Sequence, residues 1–70
     1  MNTPNMIPVV STDLASVGHD GQNLFIRFNS GPTYIYSNVP ESIFRELLAA
    51  PSKGKYFHRF IKNAYPYHRI

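Results

Sequence analysis

The chain has no cysteine and no tryptophan, and only four acidic residues, none of them after Glu46. Without thiols there is no disulfide scaffold, no thiolate metal site and no cysteine nucleophile. The histidines His19, His58 and His68 have no metal-ligand spacing. No apolar run approaches the roughly 20 residues that span a bilayer, and Met1 to Pro8 lack the basic start of a secretory signal. A cytoplasmic protein without a membrane partner is the expectation. Walker loops and dinucleotide fingerprints are missing. Asp13, Asp20, Glu41 and Glu46 offer no evident carboxylate pair beside an apolar pocket, and Ser52 has no base partner at sequence level. The sequence therefore predicts no enzyme, no cofactor and no metal.

What is present is aromatic and basic. Seventy residues make one small domain, and a chain of this size buries only about 60% of its unfolded surface. Five tyrosines and five phenylalanines must supply much of the core, since each ring buries roughly 150–250 Å². Net charge is a modest +3, but from Lys53 onward there are five lysines and arginines, two histidines and no acid. That polarity points to an anionic partner. A solvated face is the plainer reading of the same residues.

The side-chain period changes once along the chain. It is near two as far as Thr33-Tyr34-Ile35-Tyr36, and near 3.6 after Val39-Pro40. Residues 1–10 read as a flexible arm, and residues 11–70 as the domain. Ser11 to His19 is a strand candidate, followed by an Asp20-Gly21 turn. Leu24-Phe25-Ile26-Arg27-Phe28 is the best strand, with Leu24, Ile26 and Phe28 on one apolar face. Asn29-Ser30-Gly31 fits a three-residue loop with glycine in the left-handed position. That loop sets Ile26 opposite Tyr34 and Leu24 opposite Tyr36. A two-residue loop would turn both tyrosines to the open face as stacking platforms.

Two helices are predicted next, over about Pro40–Ala50 and from Ser52 to about Ala64. Ile43, Phe44, Leu47 and Leu48 form one apolar stripe. Phe57, Phe60, Ile61 and Ala64 form the second. Pro51 and Pro66 end the two helices, leaving Tyr65 to Ile70 as a short tail. The expected core is Leu24, Ile26, Phe28, Tyr34, Tyr36, Ile43, Phe44, Leu47, Phe57, Phe60 and Ile61. The expected fold is α+β: a three-stranded antiparallel β-meander followed by two α-helices packed on one face.

The ordered set Gly31, Tyr34, Tyr36, Val39, Pro40, Ser52, Lys53, Gly54, Phe57, Ile61, Lys62 and Tyr65 resembles the pattern of the KTSC domain family. That pattern is a G-x-x-Y-x-Y strand, a VP helix start, S-K-G-x-x-F, then I-K and a final tyrosine. The resemblance covers about residues 11 to 70. One departure is His19, where members often carry tyrosine. The resemblance implies a small domain of the kind found at the C-terminus of certain lysyl-tRNA synthetases and also as a single-domain bacterial protein. It supplies no catalytic residues, and it implies RNA only by analogy.

The residues themselves offer two candidate features. Ser52, Lys53, Gly54 and Lys55 open a helix, where free N–H groups and the dipole favour an anion. Lys55, His58, Arg59 and Lys62 continue as a basic stripe suited to tracking phosphates. Tyr56 and Tyr67 lie close enough in sequence to serve as stacking surfaces. The expectation is a small non-catalytic binding module contacting tRNA or single-stranded RNA. The alternative is a protein-interaction module using Phe25, Ile35 and the outer sheet face. A monomer is expected, with a dimer as the alternative.

Overall fold

In a computed structural model, which describes residues 4–70, five strands and two helices follow one another along the chain. They are β1 (Ile7–Pro8), β2 (Leu14–His19), β3 (Leu24–Phe28), β4 (Thr33–Tyr36), α1 (Glu41–Ala49), α2 (Lys53–Phe60) and β5 (Tyr67–Arg69). The strands pair antiparallel in the order β1-β2-β3-β4-β5. The architecture is α+β, but the three-stranded meander is corrected to five strands. Both additions come from segments read as arm and tail. Ile7 pairs with Val17 across one edge, and Tyr67 pairs with Tyr36 across the other. Backbone polar groups drive this, because an extended segment lying beside a strand satisfies its donors there. Residues 1–3 of the expected arm lie outside the described residues.

The β3–β4 register is the one that the three-residue loop dictates. Ile26 faces Tyr34, Leu24 faces Tyr36, and Gly31 adopts φ +117°. The Phe28 N–H donates to the Pro32 carbonyl, and the Gly31 N–H donates to the Phe28 carbonyl, both at 2.9 Å. At the preceding turn, the Asp20 carboxylate accepts the backbone N–H groups of Asn23 at 2.7 Å and Gln22 at 2.9 Å. These bonds favour the ionised form and hold the Asp20 pKa below its ordinary value.

One face of the sheet carries the main core. Leu14, Val17, Leu24, Ile26, Tyr36, Val39, Leu47, Phe57 and Ile61 are buried together, with Phe28, Tyr34, Ile43 and Phe44 packed against them. A bulge between Leu14 and Ser16 brings Leu14 onto this face with Val17, out of strict alternation. His19 also belongs to this packing. Its Nε2 donates to the Val39 carbonyl at 2.6 Å, its Nδ1 accepts from the Gly21 N–H at 3.1 Å, and its ring stacks on Phe44 at 5.5 Å.

Two burial expectations are overturned. Phe25 and Ile35, read as exposed on the outer face, are only 1% and 3% accessible. Pro4, Asn5 and Met6 run over Gly18, the cross-strand partner of Phe25 on that face. Phe60, read as core, is 47% exposed. The buried line on α2 is Gly54, Phe57 and then Ile61 just past its end. Gly54 rests against the Ser11–Asp13 segment, and a helix that buries Gly54, Phe57 and Ile61 turns Phe60 outward. α2 also ends at Phe60, a turn before Ala64. The Phe57 carbonyl there accepts from both Ile61 and Lys62, and the chain reverses toward β5. Among the described residues no helix is long and apolar enough to cross a membrane.

Candidate nucleic-acid interface

The first turn of α2 is filled by the chain's own groups. The Ser52 hydroxyl accepts the Lys55 N–H at 3.4 Å, and Lys53 Nζ folds back to donate to the Ala50 carbonyl at 3.1 Å. Gly54 is buried, and a β-carbon there would lie 3.4 Å from Asp13 Oδ2. That carboxylate thus rests against the positive end of the helix dipole, where negative charge is favoured. It also meets His58 Nε2 at 3.3 Å. Lys53 and Lys55 lie at the same positive end, where cations are unfavourable, and the Asp13 carboxylate offsets them. Ser52 thus caps the helix, and Lys53 and Gly54 lie in its first turn beside that carboxylate.

The remaining cations stay outward. Lys55, Arg59 and Lys62 are exposed. Among the described residues the carboxylate pairs are Arg45–Glu41 and His58–Asp13, so none of these three has an acidic partner. They border two different hollows. Lys55 and Arg59 border a groove of about 310 Å³ with Ser52, Tyr56 and Phe60. The Arg59 guanidinium lies 5.5 Å from the Phe60 ring centroid, a cation–π distance. Lys62 and His58 instead border a cleft on the sheet side of the helix.

The two candidate stacking tyrosines differ. The Tyr56 hydroxyl donates to Glu46 Oε1 at 2.7 Å, and its ring lies 4.7 Å from that of Phe60. Burial first, and then the bond to Glu46 and its charge, push the Tyr56 pKa up to about 12. Tyr56 braces α2 against α1 and is not a free platform. Tyr67 is 56% exposed on β5, with its ring centroid 5.3 Å from Tyr36 and 5.5 Å from Tyr34.

The cleft on the sheet side encloses about 280 Å³. Its walls are the rings of Phe28, Tyr34, Tyr36, Phe57 and Tyr67, with Lys62 at the margin. Sequence reasoning assigned four of these rings to the core and did not see that they also wall a cleft. The run Tyr67-His68-Arg69 after Pro66 is too short to signal it in the sequence. Read as a fifth strand, it places Tyr67 on the same side as Tyr36. Among the described residues no group of three or more His, Cys, Asp or Glu side chains is placed to hold a metal ion.

The family model of the KTSC domain matches residues 10–65 of this sequence. This chain belongs to the KTSC domain family. Similar curated proteins include a lysine–tRNA ligase of Trichormus variabilis, 47% identical over 49 residues, which are 70% of this chain and 9% of the ligase. A protein of Tsukamurella paurometabola is 41% identical over 59 residues, covering 81% of this chain and 88% of that protein. Among solved structures, the crystal structure of a KTSC domain protein from Yersinia pestis superposes with a TM-score of 0.88 at 35% identity. It covers 94% of this chain and 96% of that one. The KTSC domain here thus corresponds to about a tenth of the ligase and to nearly all of the small proteins.

Proposed function

We propose that this KTSC domain is a non-catalytic module that binds RNA, either tRNA or a single strand, through the exposed cations of α2 and of the turn that follows it. The observation that carries the reading is the set of exposed cations Lys55, Arg59 and Lys62, which have no carboxylate partner among the described residues. Exposed rings of Phe60 and Tyr67 lie beside them. Cations that are left unpaired and set beside aromatic surface suit a polyanion that also has π faces. The relatedness to lysine–tRNA ligases, whose name places tRNA among their substrates, supports the same class of partner. Burial of Phe25 and Ile35 removes the apolar groups on which a protein-interaction reading of the outer face rested.

The test is binding of tRNA and of single-stranded RNA at tens of micromolar protein across a salt series. Three phosphate contacts on a single strand give a slope of log K against log salt near −2, at about −0.7 per phosphate. Lys55→Glu together with Lys62→Glu should abolish the binding. Absence of salt-dependent binding to either RNA, or binding unchanged in the double variant, overturns the reading.

A further inference from the structure

We infer that the aromatic cleft between β5 and α2 holds one unstacked base of a single-stranded RNA, with Lys62 on an adjoining phosphate. The inference rests on the RNA-binding reading and adds a subsite to it.

Three observations converge on that occupant. The first is shape. The cleft, at about 280 Å³, lies just below the roughly 300–1,000 Å³ typical of small-molecule pockets. It suits a single planar ring system. The second is chemistry. Tyr34 and Tyr67 present tilted rings 5.5 Å apart, and Phe57 closes against Tyr36 edge-on at 5.5 Å. Aromatic walls of this kind accept the π face of any base without reading its edge.

The third observation concerns polar groups. The hydroxyls of Tyr34, Tyr36 and Tyr67 make no hydrogen bond to any described residue, whereas the Tyr56 hydroxyl is bound to Glu46. Among the described residues no polar side-chain atom is buried without a partner. The Tyr36 side chain, only 3% exposed overall, therefore keeps its hydroxyl in reach of solvent, and the cleft is the cavity that Tyr36 lines. Burial pushes the pKa of this hydroxyl up to about 12, with Tyr67 and Tyr34 adding to the shift, so it stays protonated. A cleft lined by tyrosines with unengaged phenol hydroxyls and by an exposed cation without a carboxylate partner complements a base joined to a phosphate. A duplex cannot use it, because its bases are stacked and its edges lie in grooves.

The experiment compares three probes on the intact chain: oligouridine, the same strand paired with oligoadenosine, and inorganic polyphosphate. The expected result is tighter binding of free oligouridine than of the duplex. Oligouridine should also shift the aromatic NMR signals of Tyr34, Tyr36, Phe57 and Tyr67 in the wild-type protein. Tyr67→Ala should weaken oligouridine binding about 5–150-fold, the span of one stacked base, and leave polyphosphate binding unchanged. Lys62→Gln, on an exposed side chain, should weaken both. If Lys55→Glu with Arg59→Glu abolishes RNA binding while Tyr67→Ala and the aromatic signals show no response, the cleft assignment falls and the RNA reading stands. If oligouridine does not bind while tRNA does, the cleft assignment falls and the RNA reading stands; if neither binds, both fall. Aromatic shifts from uridine monophosphate equal in affinity to those from oligouridine would make the cleft a free-nucleotide site and overturn the single-strand assignment.

Discussion

Gly18 lies directly beneath Met6: the β-carbon that glycine lacks would sit 2.8 Å from the Met6 sulfur and 2.9 Å from the Asn5 carbonyl oxygen. The thioether can move aside, but the carbonyl belongs to backbone. Gly18→Ala should therefore lift residues 4–6 off the outer face, with a loss of about 1–3 kcal/mol, the usual range for overpacking. Chemical denaturation measures the loss. Faster amide exchange at Ile7 and Phe25, with the β3–β4 ladder unaffected, would locate it. Stability and exchange equal to wild type would show that the arm does not seal that face.

The aromatic residues divide by what covers them. Tyr36 is 3% exposed and meets Phe57 edge-on, so Tyr36→Ala should destabilise by about 3–5 kcal/mol. Tyr34 is half-buried, and the same change there should cost less. Phe60→Ala loses mainly its ring contact with Tyr56, worth about 0.5–1.5 kcal/mol. Its neighbour Ile61 is fully buried, and Ile61→Ala should cost about 2–5 kcal/mol. Urea midpoints for the four variants check the order. A Phe60 variant as damaging as the Ile61 variant would contradict the outward ring.

Alkaline stability should depend on Tyr56. Its phenol holds its proton to about 12 in the fold, against about 10 in an unfolded chain. A raised folded pKa gives stability that is complete below pH 10 and is lost as pH rises through about 12. Tyr56→Phe should lower stability at neutral pH by about 1 kcal/mol, the size of one hydrogen bond. The variant should also lose less stability than wild type between pH 10 and 12. Tyr36, likewise raised to about 12, leaves a residual dependence in the variant. Thermal unfolding across that window reads both effects. Parallel curves for the two proteins would remove Tyr56 as the source.

Gly54 tolerates a side chain on steric grounds. A β-carbon there meets its nearest neighbours, Asp13 Oδ2 and Ser11 Oγ, at 3.4 and 3.5 Å, which is ordinary contact. Alanine is the better helix former by about 0.8–1.0 kcal/mol in a helix interior. Gly54→Ala should thus leave stability unchanged or raise it by up to about 1 kcal/mol, and leave RNA affinity unchanged. Larger side chains should push Asp13 away and weaken its pairing with His58. Loss of RNA binding in the alanine variant would return Gly54 to the interface.

Much of this domain was legible in one dimension. The three central strands, the tyrosine register, both helices and the outward cations follow from periodicity, loop length and prolines, which act between near neighbours in the chain. The pairing of Leu24 with Tyr36 needed only a glycine in the left-handed position at residue 31. The edge strands Ile7–Pro8 and Tyr67–Arg69 were not legible, because two or three extended residues carry too little pattern. They become strands when a neighbour offers its hydrogen bonds.

Tertiary structure alone decided the rest. It set the Asp13 carboxylate against a helix start 40 residues later. It laid α2 on the Ser11–Asp13 segment along its Gly54–Phe57–Ile61 line, which leaves Phe60 outward. It also brought Tyr67 from the tail to Tyr36 and made a cleft where the sequence suggested only a core. The physical reason is common to all three. Local pattern specifies which way a residue points along its own element, but the groups that meet it come from distant parts of the chain, and packing selects them.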